Sequence, residues 1–323
     1  MKNFAITGVA GYIAPRHLQA IYETNNNLIA ALDPNDSVGI LDRYFPEVSY
    51  FSDFERFDRH LEKLRQGKYP QKLDYLSICS PNHLHDAHIR FAFRIGADAI
   101  CEKPIVLNPW NLDLLQKLEE ETGKKVFTLL QLRVHPGLVS LKEKIEKRDK
   151  SKKADVVLTY ITSRGPWYHF SWKGDVKKSG GVGTNIGIHL FDLVIWFFGK
   201  VQKSEVHLNA ANKMAGFLEL ENANVRWFLS IDRNDLPEEV VQNNKSTFRS
   251  IIADGEELEF TEGFTDLHKK VYELILQGKG FGIESARPSI EAVQKMRSAI
   301  VVEKPDHFHP ILTNIAGIQN ELL

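Results

Sequence analysis

Six short apolar runs, at residues 3–7, 28–32, 48–51, 73–79, 98–101 and 126–131, alternate with amphipathic stretches of helical length at 15–24, 53–65, 82–95 and 109–122. Few folds satisfy this pattern. Apolar runs of that length suit strands buried on both faces, and parallel strands need crossover helices to connect them. The first part of the chain is therefore expected to be an α/β unit, a doubly wound parallel sheet with helices on both sides. Pro15 and Pro109 suit the first turn of a helix, where a missing N–H costs nothing.

Beyond residue 130 the pattern changes. Residues 142–153 carry Lys142, Lys144, Lys147, Arg148, Lys150, Lys152 and Lys153 interleaved with Glu143, Glu146 and Asp149, which reads as a solvated helix end and linker. Runs at 154–163, 204–211, 214–221, 224–231, 248–253 and 256–260 have β-type content with partial alternation, and Asp254–Gly255 is a hairpin turn signal. This predicts an α+β domain with a large, mostly antiparallel sheet open on one face. Helical patterns follow at 264–277 and about 287–302. The expected division is a dinucleotide domain at 1–130, a substrate and oligomerisation domain at 131–303, and a tail at 304–323 packing on the first domain or on a partner subunit.

Composition excludes several classes. Lys and Arg total 41 against 42 for Asp and Glu, a formal charge of −1, which gives no footprint for nucleic acid. A bilayer span needs roughly 18 apolar residues. The longest candidate, 186–198, is interrupted by His189 and Asp192, so no membrane partner is expected. Two cysteines, Cys79 and Cys101, lie in apolar runs, and residues 2–7 lead straight into a strand without a signal pattern; the expectation is a reduced, cytoplasmic chain.

Residues 8–14 read Gly8-Val-Ala-Gly11-Tyr12-Ile13-Ala14, between the first strand and first helix. Glycines there allow a tight turn and close approach of a pyrophosphate to a helix N-terminus. The spacing carries one residue more than G-x-G-x-x-G, and Ala14 takes the third place. Asp33, nineteen residues after Ala14, ends the second strand, where a carboxylate can accept both adenosine-ribose hydroxyls and repel a 2′-phosphate. Gly8, Gly11, Tyr12, Ile13 and Asp33 thus predict dinucleotide binding, NAD in preference to NADP. Ser80, Asn82 and His85 follow the fourth strand and are candidates for cofactor contact, with helix capping the alternative for Ser80 and Asn82. Glu102-Lys103-Pro104 ends the fifth strand, again at the cofactor end. His83, His85 and His88 lack carboxylate or cysteine company at ligand spacing, so no metal is expected.

A second constellation follows Gly180-Gly181. Helical spacing would place Asn185, His189, Asp192 and Trp196 on one face of an otherwise apolar helix, a buried polar stripe that requires partners or a function.

Taken together, Ser80-Pro81-Asn82 with His85, Glu102-Lys103-Pro104, and Gly180-Gly181 running to His189 and Asp192 resemble the glucose–fructose oxidoreductase/inositol dehydrogenase (Gfo/Idh/MocA) family over nearly the whole chain. More narrowly, 8–17, Ile161 to Tyr168, Ser171 to Asp175 and Asp232 to Pro237 resemble the UDP-N-acetylglucosaminuronate 3-dehydrogenases of bacterial O-antigen and lipopolysaccharide synthesis. The resemblance implies an N-terminal Rossmann domain and NAD. It also implies oxidation of a UDP-sugar 3-hydroxyl ahead of an aminotransferase, and a homo-oligomer built as a dimer of dimers, a tetramer. Where the family usually has an acid, four residues before the helix histidine, this chain has Asn185, and an amide cannot take a proton. Lys103 and His189 remain as catalytic residues. A histidine pKa near 6.5 suits a base at neutral pH, with Lys103 donating to the same oxygen, and the reverse assignment stays open. Arg164, Trp167, Tyr168, Lys173 and Asn185 are expected to contact substrate with them. The competing readings are another sugar or polyol dehydrogenase of the same family, a noncatalytic dinucleotide-binding sensor, or a scaffolding protein.

Overall fold

A computed structural model describes residues 1–149, 151–260, 266–303 and 305–312. The chain forms two compact units, Met1–Val134 with Thr265–Arg287, and His135–Phe264 with Pro288–Leu323.

In the first unit six parallel strands, β1 (Asn3–Thr7), β2 (Asn27–Leu32), β3 (Ser49–Phe51), β4 (Tyr75–Ile78), β5 (Asp98–Cys101) and β6 (Val126–Thr128), lie in the order β3-β2-β1-β4-β5-β6. The order reverses beside β1, and ligands of such sheets bind beyond the strand carboxyl ends at that switch point. Helices Ala14–Glu23, Phe54–Arg65, His85–Arg94 and Pro109–Thr122 supply the crossovers. Asp53 caps the second by accepting the Arg56 amide at 3.0 Å, and Gly123 ends the fourth in a left-handed conformation. The expected strand at 126–131 is shorter, because Gln131–Val134 form a 3₁₀ turn.

The boundary expected at 130 falls at Val134, and Thr265–Arg287, expected in the second domain, belongs to the first unit. The reason is burial. Helix Leu267–Leu276 inserts Val271, Tyr272 and Ile275 into the core formed by Phe4, Leu18 and Ile21. Periodicity shows that a helix has an apolar face and is silent on which sheet it covers.

The second unit holds a mixed sheet of β7 (Ala154–Thr162), β8 (Val201–Asn209), β9 (Lys213–Leu220), β10 (Ala223–Ser230), β11 (Thr247–Ala253) and β12 (Glu256–Glu259), ordered β12-β11-β7-β10-β9-β8. Only the β7–β10 pairing is parallel among the described strands. Asp254 and Gly255, both at positive φ, make the predicted hairpin turn between β11 and β12. One face carries the apolar helix Ile188–Phe198, where Phe191 meets Trp227 edge to face at 5.1 Å. The other face is not bare. Leu236, Val240 and Leu312 pack there with Ile161, Ala215 and Phe228, and His309 bonds Thr159. Tail residues 305–312 therefore pack on the second unit's own sheet, where the expectation was the first domain or a partner; residues 304 and 313–323 lie outside the described residues.

Asn185 and His189 do not share one helix. Gly181–Asn185 and Ile188–Phe198 are separate helices, and the segment Val176–Asn185 meets Ile188–Phe198 at a bend of 45° across Ile186–Gly187. No single helix among the described residues is long and apolar enough to cross a membrane. A Cβ at Gly187 would lie 2.5 Å from Leu229 Cδ1 and 2.6 Å from the Gly183 carbonyl oxygen, so the bend relies on a residue without a side chain. Gly187→Ala is expected to destabilise the second unit by about 1–3 kcal/mol, the usual cost of overpacking. A lower midpoint in urea unfolding checks this, and an unchanged midpoint would show that the helix can shift away.

Candidate active site

The glycine turn sits at the carboxyl end of β1. Gly8 has φ of +79°, and a Cβ there would lie 2.6 Å from the backbone of Cys79 and Ser80. The residue extra to the usual spacing is taken up in a turn in which the Gly11 amide donates to the Gly8 carbonyl at 3.0 Å. Ile13 precedes helix Ala14–Glu23 without side-chain capping, so the first-turn amides have no side-chain acceptor. Tyr12 is exposed. Asp33 is buried, with Oδ2 accepting the Ala10 amide at 3.0 Å and Oδ1 accepting the Asn35 amide at 2.9 Å. Each oxygen keeps a further acceptor site. The Ala14 and Arg16 amides already donate to the Gly11 and Ile13 carbonyls and Pro15 has none, so it is the side-chain-free cradle and this carboxylate that fit a dinucleotide, with Gly8, Gly11 and Ile13 beside its pyrophosphate and Asp33 at its ribose.

Ser80 and Asn82 are not the N-cap residues of the following helical turns, which start after Pro81 and Leu84. The Ser80 hydroxyl lies 3.0 Å from His88 Nδ1, which also lies 3.1 Å from Thr7 Oγ1; burial pushes His88 down to about 4, so the ring is neutral and accepts. Asn82 is buried close by in sequence. His85 is fully buried, its Nδ1 2.6 Å from the Pro104 carbonyl oxygen and its Nε2 2.8 Å from that of Ser80. Burial lowers its pKa against the opposing pull of both carbonyls. The ring spans the two loops that follow β4 and β5, with a carbonyl oxygen within hydrogen-bond distance of each nitrogen.

Glu102 is the centre of a network that the sequence reading missed. Its Oε1 accepts from Nε2 of His17 at 3.0 Å and from Nε2 of His268 at 3.1 Å, while Oε2 faces the Lys103 amide at 3.3 Å. Tyr272 Oη lies 2.7 Å from His17 Nδ1 and 2.8 Å from Ser77 Oγ, within hydrogen-bond distance of both. Burial alone would raise the Glu102 pKa. The hydrogen bonds and charge interactions with the two histidines outweigh it and hold the carboxyl well below the usual carboxylate range. The ligand atoms of His17, Glu102 and His268 lie within 4.8 Å of one another, close enough for a divalent ion. His17 lies in the 8–17 segment already singled out, and His268 and Tyr272 are one helical turn apart, yet nothing in sequence places them beside Glu102.

In the second unit, Asn185 is buried and donates from Nδ2 to Tyr168 Oη at 2.6 Å. His189 is half-buried in the first turn of Ile188–Phe198, and Asp192 is buried one turn later. Trp196 is stacked under the Lys142 ammonium at 5.3 Å. The loop before Gly180 exposes Trp167 and Arg164, while Lys173 Nζ sits 4.5 Å from the Trp172 ring centroid and 5.7 Å from that of Trp167. Asp232 and Asp235 hold a corner by taking the Asn234 amide, the Ser230 hydroxyl and the Lys213 ammonium.

The sequence matches the oxidoreductase family, NAD-binding Rossmann fold, over residues 2–129 and the oxidoreductase family, C-terminal alpha/beta domain, over 142–232. It is 30% identical over 129 residues to inositol 2-dehydrogenase of Rhizobium meliloti, covering 40% of this chain and 37% of that one. It is 25% identical to the Bacillus subtilis oxidoreductase YteT over 208 residues, 62% of this chain and 47% of that one, so the matched stretch spans less than half of these curated relatives. Among solved structures, the WlbA (WbpB) dehydrogenase of Thermus thermophilus in complex with NAD and α-ketoglutarate is 51% identical, with a TM-score of 0.92 over 96% of this chain and 99% of that one. The complex of the Thermus enzyme with NAD and UDP-GlcNAcA is similar at 50% identity, with the same TM-score and coverage. With both domains matched in order and a full-length structural likeness at this identity, the chain belongs to the Gfo/Idh/MocA oxidoreductase family, and its first unit is the family's NAD-binding domain.

Proposed function

We propose that this protein is an NAD-dependent dehydrogenase that oxidises the 3-hydroxyl of UDP-N-acetylglucosaminuronic acid, in the cytoplasm, ahead of an aminotransferase in bacterial surface-polysaccharide synthesis. The observation that carries this reading is the 50% identity over 96% of the chain to a Thermus dehydrogenase solved with NAD and UDP-GlcNAcA. NAD, when bound, supplies the two-electron oxidant for the sugar carbon. The chain's own residues must hold the cofactor, take the hydroxyl proton and balance the substrate's negative charge.

His189 is proposed as the base. An imidazole's ordinary pKa suits taking a proton near neutrality, and this one is half-buried at the start of a helix. Lys103 is proposed to donate to the same oxygen and stabilise developing alkoxide charge. Asn185, bonded to Tyr168, can orient substrate but not accept a proton. Arg164 and Lys173 are proposed to meet phosphate or carboxylate oxygens, with Trp167 and Trp172 against the sugar or uracil. Self-association as a dimer of dimers rests on the resemblance alone, since tail residues cover part of the sheet face expected to drive it.

The direct test is NADH absorbance with a panel of UDP-sugars. UDP-N-acetylglucosaminuronic acid should turn over far faster than UDP-N-acetylglucosamine, which would leave a cation unpaired. Adding α-ketoglutarate, the 2-oxoacid bound in the Thermus relative, should sustain turnover at sub-stoichiometric cofactor. Equal rates with both sugars would overturn carboxylate recognition.

Calorimetry should show NAD binding more tightly than NADP, because a 2′-phosphate beside Asp33 meets like charge. Asp33→Ser should narrow that gap. Equal affinities in the native chain would remove Asp33 from the ribose site.

The proton roles separate by mutation. His189→Ala should lower kcat by about 10²–10⁴-fold, the usual contribution of a general base, with little change in NAD affinity. Asn185→Asp should move the acidic limb of the kcat/KM profile to higher pH, because a carboxylate near the imidazole favours its protonated form. Near-normal kcat in His189→Ala, with activity abolished in Lys103→Ala, would reverse the two assignments.

A further inference from the structure

The corner after β10, from Asp232 to Leu236, is held by its own acids. Asp232 accepts the Asn234 amide at 3.0 Å and the Asn212 side-chain amide at 3.2 Å, and Asp235 accepts the Lys213 ammonium at 2.8 Å. Backbone bonds tie the corner to the loops beside it. The Ile231 amide donates to the Asn212 carbonyl and the Arg164 amide to the Ile231 carbonyl, both at 2.9 Å. Arg233 lies two residues beyond that carbonyl, so the side chains of Arg164 and Arg233 start close enough to meet on one ligand.

The charges there do not cancel. Lys213 is matched by Asp232 and Asp235. Arg164 and Arg233 are exposed, and neither has an ion-pair partner among the described residues; Glu238 and Glu239, which open the next helix, pair with neither. Two cations held side by side without a carboxylate raise the local potential and favour an anion between them.

The corner also adjoins the helix break before His189. A Cβ at Gly183 would lie 3.1 Å from Met214 Sδ, and one at Gly187 would lie 2.5 Å from Leu229 Cδ1. Met214 follows Lys213, and Leu229 stands just before Ser230 and Ile231, so the break and the corner share one end of the sheet. Between them lies Tyr168, bonded to Asn185 at 2.6 Å and near enough to Arg164 to feel its charge.

We propose that Arg233 and Arg164 together hold the diphosphate of the nucleotide sugar, with the sugar directed from this corner toward Asn185 and His189. This rests on the reading of the protein as a UDP-sugar dehydrogenase, and it adds Arg233 to the residues that select the substrate. Guanidinium suits the task, because its planar fork gives two parallel hydrogen bonds to phosphate oxygens and stays charged at any working pH.

The test is calorimetric titration of UDP into the NAD-loaded protein, for the native chain, Arg233→Ala and Arg164→Ala. Each variant should weaken UDP about 10- to 100-fold, the usual consequence of losing a hydrogen bond to a charged group. Arg233→Lys, which keeps the charge and loses the fork, should recover part of that loss. NAD, itself a diphosphate, is titrated separately as the control, and its affinity should stay native in every variant. With the UDP-sugar, Arg233→Ala should raise KM by a factor similar to the loss in UDP affinity while kcat changes far less. Native UDP affinity in either alanine variant overturns the proposal. So does an equal loss of NAD affinity, which would mark a general effect of charge, or a fall in kcat at unchanged KM. If the native chain fails to oxidise the UDP-sugar while UDP binding still depends on both arginines, the proposed function falls and the diphosphate site stands. A native chain that does not bind UDP overturns both.

Discussion

The first unit depends on the closeness of Gly8 to the backbone leaving β4. A side chain at that position would overlap the Cys79 carbonyl group and the Ser80 amide. Because it has none, the carboxyl ends of β1 and β4 stay side by side as the strand order reverses, and the loops after both strands share one crevice. The same contact explains the polar chemistry beneath. Thr7, the last residue of β1, and Ser80 share the His88 ring, and the Ser80 carbonyl reaches His85, which also meets Pro104 beyond β5. Strand spacing has become loop spacing, and loop spacing sets where Lys103 begins.

A buried carboxylate beneath that loop needs its own justification. Desolvation of a carboxylate costs several kcal/mol after relaxation. Hydrogen bonds to a charged group return about 1.5–3 kcal/mol each, and Glu102 receives two from imidazoles at 3.0 and 3.1 Å. The terms nearly balance, so the charge is retained at little net stability. That makes the cluster weak evidence for stability.

Much of this was legible in the sequence because the local signals are strong. Alternating apolar runs gave the parallel sheet, Asp254–Gly255 the hairpin, and Gly8 with Asp33 the cradle and its carboxylate. Pairings between distant residues were not legible. His17 and His268 are separated by most of the chain and meet only because a late helix packs back on the first unit's core. Helical periodicity also failed at Gly187. Continuing the 3.6-residue count from Asn185 assumes an unbroken helix, whereas close packing on Leu229 turns the chain by 45° first.

That bend alters what Asn185 is able to do. On one straight helix, Asn185 would stand a turn below His189. On a separate short helix, its amide nitrogen is instead committed to Tyr168 at 2.6 Å. Tyr168 is itself nearly inaccessible, and burial raises its phenol pKa against the opposing Asn185 hydrogen bond and Arg164 charge. The pair is neutral, so it orders the chain after Gly180 without placing charge before the histidine. Asp192, three residues after His189 on the same helix and buried, is then the carboxylate nearest in sequence to the imidazole. Position 189 is thus preceded by a neutral amide–phenol pair that joins two short helices and followed on its own helix by a buried acid. This division exists because a glycine lets the helix break.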